Sequence, residues 1–321
     1  MSAVAVRARS GDPAFAADVL TGLSRPQKTV PARWFYDHRG SELFEEITRL
    51  PEYYPTRTEI GLLKRHAAEV AELAGRRAVV EFGSGSSRKT PLLLGAMDVS
   101  VYVPIDISGE FLRASARALA EAMPGVNVIP QEGDFTHRLD LPSEVAQSPA
   151  LGFFPGSTIG NFAAPRAVAL LQTIGETLGE DAMLLIGIDR KKPVERLIRA
   201  YDDSQGLTAA FNLNLLERMN RELDGDIPVE GFRHEVRWNT DHNRIEMHLR
   251  AERNMRFHVA GEAFAIAEGE TIHTENSHKY NVDEARLLLR AGGWTPLRDW
   301  SDEAGLFTLY LASRTKKSLQ D

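Results

Sequence analysis

Ala78-Val-Val-Glu-Phe-Gly-Ser-Gly-Ser-Ser-Arg-Lys-Thr90 is an apolar segment that runs directly into a glycine-rich loop, and a helix is predicted to follow it. Glu81 lies two residues before Gly83, the first glycine of the loop. Glycine at the end of a parallel strand lets the backbone approach a bound molecule closely, and the following helix offers free N–H groups. The segment therefore predicts a ligand-binding loop at the carboxyl end of a parallel strand.

Three classes of nucleotide-binding loop partly match this segment, and Arg88 distinguishes them. A dinucleotide-binding G-x-G-x-x-G motif that begins at Gly83 requires a third glycine where Arg88 stands. A phosphate-binding P-loop from Gly83 to Thr90 requires a glycine at the same position. The E-x-G-x-G loop of S-adenosylmethionine (SAM) methyltransferases does not require a glycine at the position of Arg88. The segment therefore favours that class. A tight turn that binds no ligand remains the alternative.

The composition limits the other classes of protein. The 321 residues, 43% apolar and 26% charged, suffice for one large domain or two ordinary ones. The sequence has no cysteine, which excludes disulfides and thiolate chemistry and fits a reducing cytosol. A net charge of −7 argues against a nucleic-acid partner, and no segment resembles a signal peptide or a membrane span. We expect a soluble, cytoplasmic monomer.

Strands and helices alternate between residues 58 and 190. The predicted strands are Ala78–Phe82, Val99–Ile105, Val126–Pro130, Ala150–Phe154 and Ala182–Ile188. The predicted helices are Glu59–Ala74, Ser87–Met97, Glu110–Met123 and Ala164–Leu178. Such alternation implies parallel pairing through right-handed crossovers, hence a doubly wound α/β sheet with ligands at the carboxyl ends of its strands.

The alternation resumes near residue 280 with a different ending. A helix over Val282–Ala291 is followed by strands Trp294–Trp300 and Leu306–Ala312, which a short turn connects. These elements predict a seven-stranded sheet with an antiparallel C-terminal edge. That ending is typical of the Rossmann-like class I SAM methyltransferase fold and uncommon in dinucleotide-binding domains.

Residues 191–279 interrupt the alternation and predict a second domain of α+β type. Its predicted helices and antiparallel strands are Val194–Tyr201, Thr208–Leu223 with Thr208 as N-cap, Phe232–Asn239, Arg244–Ala251 and Phe257–Val259. We expect residues 1–57 to join it as a substrate-binding domain, while residues 58–190 and 280–321 form the methyltransferase domain. The two are expected to meet in a cleft over the strand ends.

Polar residues after the predicted strands suit the parts of SAM. Asp106 ends the second strand, where a carboxylate can accept hydrogen bonds from ribose hydroxyls; capping of the next helix is the alternative. Asp134 and Phe135 follow the third strand and suit an adenine site, although a lone aromatic is more often core. Lys89 lies where a cation opposes the helix dipole, which suggests a ligand carboxylate as its partner. A solvated surface lysine is equally compatible. Asn161, after the fourth strand, suits an amino-acid substrate or caps the helix from Ala164.

Long blocks in both predicted domains resemble the signature blocks of the histidine-specific methyltransferases, bacterial enzymes that trimethylate the α-amine of L-histidine to hercynine for ergothioneine synthesis. The blocks are Arg33-Trp-Phe-Tyr-Asp37, Leu50-Pro-Glu-Tyr-Tyr-Pro-Thr-Arg-Thr-Glu59, Gly156-Ser-Thr-Ile-Gly-Asn161, Arg199-Ala-Tyr-Asp-Asp203, Arg244-Ile-Glu-Met-His-Leu-Arg250 and Thr274-Glu-Asn-Ser-His-Lys279. The resemblance extends over almost the whole chain, except for the first dozen residues and Lys316–Asp321.

The resemblance implies SAM as the methyl donor, L-histidine as the acceptor, and a role for each matching residue. The implied SAM contacts are Gly83, Lys89, Asp106, Asp134 and Phe135. The residues implied to hold the amine and carboxylate of the substrate are Tyr53, Asn161 and Tyr201.

The resemblance also assigns the imidazole ring to Glu275 and Ser277, the side-chain pocket to Met247, and the space beside the methylated nitrogen to Tyr36. An imidazole has two ring nitrogens, so a selective site needs one acceptor and one group that donates or accepts. Glu275 and Ser277 supply that pair, and residues two apart on an extended segment face the same side. Without the resemblance Glu275 would be interpreted as a surface acid. The neighbouring His278 is assigned no role by the resemblance and is expected at the surface.

The implied reaction is an in-line transfer in which the neutral amine attacks the sulfonium methyl group, so catalysis depends mainly on positioning. Tyr36, Tyr53 or a water held by Asn161 is expected to accept the proton that the amine loses. Two alternatives stay open: a different amino acid or small amine as acceptor, and a SAM-binding regulator without turnover. No metal is expected, because Trp238 replaces the second histidine of the H-E-x-x-H motif that His234 would begin.

Overall fold

The computed structural model describes residues 12–85 and 87–314. Within these residues the helices are α1 Pro13–Leu23, α2 His38–Ile47, α3 Tyr54–Ala74, α4 Thr90–Leu94, α5 Gly109–Ala122, α6 Ala164–Leu178, α7 Val194–Tyr201, α8 Leu207–Glu222 and α9 Val282–Ala291. The strands are β1 Lys28–Thr29, β2 Ala78–Phe82, β3 Val101–Asp106, β4 Asn127–Val128, β5 Gln131–Glu132, β6 Ala150–Phe154, β7 Met183–Asp189, β8 Phe232–Asn239, β9 Arg244–Ala251, β10 Met255–Val259, β11 Glu262–Ile266, β12 Thr271–His278, β13 Trp294–Ser301 and β14 Phe307–Arg314. Among these helices none has the length and apolar character needed to pass through a lipid bilayer.

The chain divides into two compact units. The described part of the first, here called the insertion unit, comprises residues 12–47, 197–239 and 245–276. The second, here called the sheet unit, comprises residues 48–196, 240–244 and 277–314 as far as it is described. The ends of the predicted domains at residues 1–11 and 315–321, and the sequence examined for a signal peptide, lie outside the described residues.

The sheet unit is built on one mixed sheet with the strand order β13-β14-β7-β6-β2-β3-β4, and β5 also pairs with β3. Strand β2 runs parallel to both β3 and β6, and β6 runs parallel to β7. Strand β14 is antiparallel to both β7 and β13. This topology confirms the predicted doubly wound α/β sheet with an antiparallel C-terminal edge.

The central strands are buried on both faces, as parallel strands are when the helices that connect them cover the sheet. Every residue of β2 is buried, and its side chains alternate between two apolar layers. Val80 packs in the layer that includes Leu171 of α6 and Leu289 of α9, whereas Val79 packs in the layer that includes Leu62 of α3. The helices therefore cover both faces of the sheet and leave the strand ends for binding.

The third strand of the methyltransferase prediction differs from the structure. The single strand expected at Val126–Pro130 is two short strands, β4 and β5, which both pair with β3. Pro130 separates them, because proline has no backbone N–H to donate to a neighbouring strand. The chain resumes pairing immediately after this proline, at Gln131.

The insertion unit contains a four-stranded sheet of order β1-β12-β9-β8 and a separate antiparallel hairpin of β10 and β11. The structure confirms the bounds predicted for α7, β8 and β9. Strands β1, β11 and β12 were not predicted as strands. In β12 polar residues occupy most positions, so it lacks the apolar alternation that identifies a half-buried strand.

The predicted N-cap of α8 is wrong. Thr208 lies inside the helix, and its backbone N–H donates to the carboxylate of Asp203 at 2.7 Å. The same carboxylate accepts from the backbone N–H groups of Gln205 and Leu207, each at 3.0 Å. A charged acceptor that satisfies three N–H groups at once makes a threonine cap unnecessary.

Asn281→Ala is expected to lower the free energy of unfolding by about 1 kcal/mol. The side chain of Asn281 caps α9 by accepting from the backbone N–H of Glu284, and the Glu284 carboxylate accepts from the backbone N–H of Asn281, each at 2.8 Å. Urea denaturation measures the loss. Asn281→Asp keeps an acceptor at this position and serves as the control, so an equal loss in both variants would contradict the capping explanation.

Candidate active site

The glycine loop after β2 has the backbone conformation that its sequence requires. Gly83 and Gly85 have φ angles of +73° and +49°, in the left-handed region that favours glycine. The backbone N–H groups of Gly83 and Ser84 both donate to the carbonyl of Ile105, at 2.9 and 3.2 Å. A Cβ atom on Gly83 would lie 3.5 Å from the ring of Phe135. The loop is thus fixed to the end of β3 and is adjacent to one predicted adenine-site residue.

Glu81, the acid of the E-x-G-x-G motif, is buried and connects neighbouring elements by hydrogen bonds. One oxygen of its carboxyl group accepts from the hydroxyls of Thr90 and Tyr102, each at 2.6 Å. Burial raises the pKa of Glu81 to about 7, against the effect of these two hydrogen bonds. The side chain connects β2 to the first residue of α4 and to β3, and so holds the loop between them.

Asp106 lies where a ribose-binding carboxylate was predicted, at the end of β3. Its two oxygens accept from the backbone N–H groups of Gly85, at 3.1 Å, and Ser108, at 2.9 Å. Burial raises its pKa. The N-cap residue of the next helix is Ser108, whose side chain makes no capping hydrogen bond. Asp106 is therefore not the N-cap residue itself, and its carboxylate borders the glycine loop.

Asp134 and Phe135 follow β5 at the same edge of the sheet. The carboxylate of Asp134 accepts from the backbone N–H and the hydroxyl of Thr136, at 2.9 and 2.6 Å. Phe135 is half-buried and packs edge-on against Phe82 and Phe154, with ring centroids 6.4 and 5.6 Å apart. The ring therefore packs against the edge of the core, and part of its surface remains exposed.

Lys89 is not a solvated surface lysine. Its ammonium lies 2.5 Å from the carboxylate of Glu59, and only 16% of its side chain is exposed. Glu59 is completely buried, and both of its oxygens also accept from the backbone N–H of Gly156, at 3.1 and 2.9 Å. One carboxylate thus connects the cation after β2 to the loop after β6.

The sequence analysis did not identify Glu59, although a signal was present. Glu59 precedes Leu62 and Leu63 by three and four positions in α3, and both leucines are completely buried. An acid on the apolar stripe of a helix must have a partner inside the protein.

Asn161 and Tyr53 lie in two other segments of the sheet unit. Asn161 ends a 3₁₀ turn that begins at Thr158. The N-cap residue of α6 is Ala163, so the prediction that Asn161 is the N-cap residue is wrong. Tyr53 immediately precedes α3 and is 8% exposed.

Two predicted residues of the insertion unit have aromatic or polar packing partners. The ring of Tyr36 contacts Phe44 and Phe211 edge-on, with centroids 5.6 and 5.7 Å apart. Tyr201 is largely buried at the end of α7, and its carbonyl lies 2.8 Å from Nε2 of His234. His234 therefore supports the backbone beside Tyr201.

Glu275 and Met247 lie on opposite faces of the insertion-unit sheet. The rings of His248 and His273 stack with centroids 4.6 Å apart, so these two residues share a face. Because side chains alternate along a strand, Glu275 shares the face of His273, whereas Met247 points away from it. The structure brings Glu275 to the side of the stacked histidines and does not bring Met247 there.

A group of potential metal ligands occurs on that same face. Atoms of Glu246, His248 and His273 lie within 4.8 Å of one another. The ring nitrogens of His248 already have partners, because Nε2 lies 3.2 Å from Glu246 and Nδ1 lies 3.1 Å from the hydroxyl of Thr271. Burial lowers the pKa of His248 to about 4. Hydrogen bonding accounts for this cluster, which no motif in the sequence had indicated.

The end of β7 carries a buried network that sequence reasoning missed. Asp189 accepts from the hydroxyl of Tyr54 and pairs with the ammonium of Lys279, each at 2.7 Å, and it also pairs with Lys192. Lys279 donates in addition to the hydroxyl of Ser277 at 2.7 Å. Burial alone would raise the pKa of Asp189, but the two ammonium groups hold it below its usual value. Burial lowers the pKa of Lys192 to about 8.

His278, expected at the surface, is buried. Its Nδ1 lies 3.1 Å from the carbonyl of His242, and its backbone borders Gly160, where an added Cβ would lie 2.9 Å from the His278 carbonyl. Burial lowers its pKa to about 4. The backbone of His278 therefore packs against the 3₁₀ turn that carries Asn161.

Comparison with known proteins gives a match over nearly the whole chain. The family model described as histidine-specific methyltransferase, SAM-dependent, matches residues 15–314. The histidine N-alpha-methyltransferase of Mycolicibacterium smegmatis is 43% identical over 304 residues, which are 92% of this chain and 94% of that protein. The protein of the same name from Mycobacterium tuberculosis is 42% identical over 95% of this chain and 96% of its own length. Ergothioneine biosynthesis protein 1 of Neurospora crassa is 31% identical over 90% of this chain and 34% of that protein.

The free energy of unfolding of the wild type is expected to fall relative to that of Glu81→Gln as the pH rises from about 5 to about 7. The pKa of Glu81 is about 7 in the folded protein, whereas its ordinary value, which applies to the unfolded chain, is 4.5. Between these values the folded state binds the extra proton, so a rise in pH favours unfolding by up to about 1.4 kcal/mol per pH unit. The amide of the variant does not ionise and lacks this dependence.

Urea denaturation of both proteins at several pH values measures the difference between their free energies of unfolding. Other titrating groups are common to the two proteins and cancel in that difference. A difference that stays constant with pH, or that grows in favour of the wild type, would show that Glu81 is already ionised in the folded state.

Proposed function

Because the chain belongs to the histidine-specific, SAM-dependent methyltransferase family, we propose that it transfers three methyl groups from SAM to the α-amino nitrogen of L-histidine. The product is hercynine, and the reaction is the first step of ergothioneine synthesis. The identity with histidine N-alpha-methyltransferases over nearly the whole chain carries this proposal. We also propose that the protein is a cytoplasmic monomer and that it requires no metal, nucleic acid or membrane.

We assign SAM to the carboxyl edge of the sheet unit. Gly83 allows close approach of the backbone, Asp106 accepts from the ribose, and Asp134 and Phe135 bind the adenine. These assignments are supported by the position of all four residues at strand ends around one glycine loop. No phosphate has to be bound, which agrees with a loop that lacks the glycines of phosphate-binding motifs.

Lys89 is assigned to the carboxylate of the methionyl part of SAM. Its ammonium already pairs with Glu59 and has three hydrogens to donate. Glu59 fixes the direction of the side chain and leaves donors for a second carboxylate. The same acid holds Gly156, so the cation and the loop after β6 keep a fixed distance.

We assign the amine and carboxylate of histidine to Tyr53, Asn161 and Tyr201, and its imidazole to Glu275 and Ser277. The carboxylate of Glu275 accepts from a ring N–H, and the hydroxyl of Ser277 takes the other ring nitrogen. Met247 is assigned to the side-chain pocket on the resemblance alone. Its side chain points to the face of the sheet opposite to that of Glu275.

The reaction needs a neutral amine whose lone pair lies in line with the methyl–sulfur bond. The nitrogen attacks the methyl carbon, the carbon–sulfur bond breaks, and S-adenosylhomocysteine leaves. Positive charge moves from sulfur to nitrogen, so the residues act mainly by holding the two reactants in line and excluding water. The face of Tyr36 stabilises the resulting ammonium by about 0.5–2 kcal/mol.

The nitrogen loses a proton before each further transfer, and Tyr36, Tyr53 or a water bound to Asn161 accepts it. After the third transfer the nitrogen has neither a proton nor a lone pair. The reaction therefore ends at the trimethylated product without any residue that counts methyl groups.

Incubation of the protein with histidine and SAM is expected to give successive additions of one, two and three methyl groups to the α-nitrogen. Mass spectrometry of the product and its fragments measures both the number of methyl groups and their position. Methylation of a ring nitrogen would refute the proposed acceptor atom. No turnover of histidine, with turnover of another amino acid or amine, would refute the substrate and support the alternative acceptor.

Glu275→Ala is expected to raise the KM for histidine at least tenfold, because one charged hydrogen bond to the ring is worth roughly 1.5–3 kcal/mol. The KM for SAM is expected to change by less than about twofold, since the residue is assigned to the other substrate. Steady-state kinetics with each substrate varied in turn measures both constants. Glu262→Ala removes an exposed acid of β11 and is the matched control. Equal effects of Glu275→Ala on the two substrates would remove Glu275 from the imidazole site.

A further inference from the structure

The hydroxyl of Ser277 has a buried ammonium as its neighbour. Nζ of Lys279 lies 2.7 Å from Oγ of Ser277, and the ammonium can only donate in this contact. Lys279 is completely buried, and Ser277 is 4% exposed. The hydrogen bond is thus shielded from water and has a defined direction, from lysine to serine.

Lys279 is held in this position by a second strong contact. Its ammonium lies 2.7 Å from Asp189, which is itself buried and bound to the hydroxyl of Tyr54. Lys192 shares the same carboxylate. The network of Asp189, Lys192 and Lys279 therefore contains two lysines and one acid. Such a group costs free energy to bury, and the transfer mechanism above uses none of its three members.

The contact restricts what Ser277 can offer to a ligand. A serine hydroxyl has one hydrogen to donate and two lone pairs that accept. Lys279 occupies one of these lone pairs, and its positive charge opposes the approach of another N–H donor to the second. The charge also polarises the O–H bond and strengthens its donation, as neighbouring hydrogen bonds do in a buried site.

We propose that Lys279 is a positioning residue that makes the Ser277 hydroxyl a hydrogen-bond donor toward the substrate ring. The inference rests on the proposed function and goes one step further. It selects a ring with an unprotonated nitrogen opposite Ser277 and an N–H opposite Glu275. The specificity for histidine then depends on a lysine that does not itself touch the substrate.

The test compares histidine with the two pyrrolylalanines, each of which keeps one ring N–H and replaces the other ring nitrogen by C–H. With the wild type, kcat/KM for histidine is expected to exceed that for the better pyrrolylalanine by about 100-fold or more, because a buried donor is left without an acceptor. This measurement needs no variant. A ratio within about threefold would overturn the proposal.

Lys279→Met is expected to lower that ratio by about tenfold, the effect of one hydrogen bond, because the ammonium then no longer directs the hydroxyl of Ser277. Lys192→Met is the matched control. It removes the same charge from the same carboxylate but leaves the contact between Lys279 and Ser277. Its ratio is expected to stay within about threefold of the wild-type value. Ser277→Ala removes the donor and is expected to lower the ratio at least as far as Lys279→Met.

The outcomes separate this inference from the proposed function. A wild type that does not methylate histidine at all refutes the proposed function, and the inference with it. A wild type that methylates histidine, together with a Lys279→Met variant that keeps the full ratio, overturns the inference alone. An equal fall of the ratio in Lys279→Met and Lys192→Met also overturns it, because the effect then belongs to the charge of the whole network.

Discussion

Buried acids with partners on neighbouring elements hold the carboxyl edge of the main sheet together. Glu81 connects β2 to α4 and β3, and Glu59 connects Lys89 to the loop after β6. Asp189, the last residue of β7, pairs with Lys192 and Lys279. Each carboxylate lies inside the protein, where an isolated charge would be strongly unfavourable. Each carboxylate therefore has to keep its hydrogen-bond or ion-pair partners in the folded state. These contacts also hold the loops that carry the partners.

The buried acids also orient the groups that they contact. A buried ion pair often stabilises a fold no better than apolar residues of the same volume would, because desolvation offsets the attraction. What they supply is direction: Glu59 orients a cation, Asp189 orients Lys279, and Glu81 connects the hydroxyls of Thr90 and Tyr102. A methyl transfer that depends on alignment benefits from groups whose positions vary little.

The sequence predicted the elements whose signal is burial, and it failed where the signal is polar. The bounds of β2, β6, α6 and α9 were correct because apolar runs and helical periodicity mark them directly. The polar strand β12 carries Glu275 and Ser277 and was expected only as an extended segment. Pro130 divides a predicted strand, and the N-cap residues of α8 and α6 are Gly206 and Ala163, in place of the predicted Thr208 and Asn161. Such outcomes depend on which groups meet in three dimensions.

The candidate site shows the same division at the level of single atoms. A motif can indicate that a hydroxyl and a carboxylate are available for an imidazole, because residue types fix donors and acceptors. It cannot indicate which way a hydroxyl points, since serine both donates and accepts. That property comes from Lys279, two positions along the chain, and from Asp189, which is distant in sequence. In the proposed site, selectivity for a ring nitrogen therefore depends on the partners of Ser277 as well as on Ser277 itself.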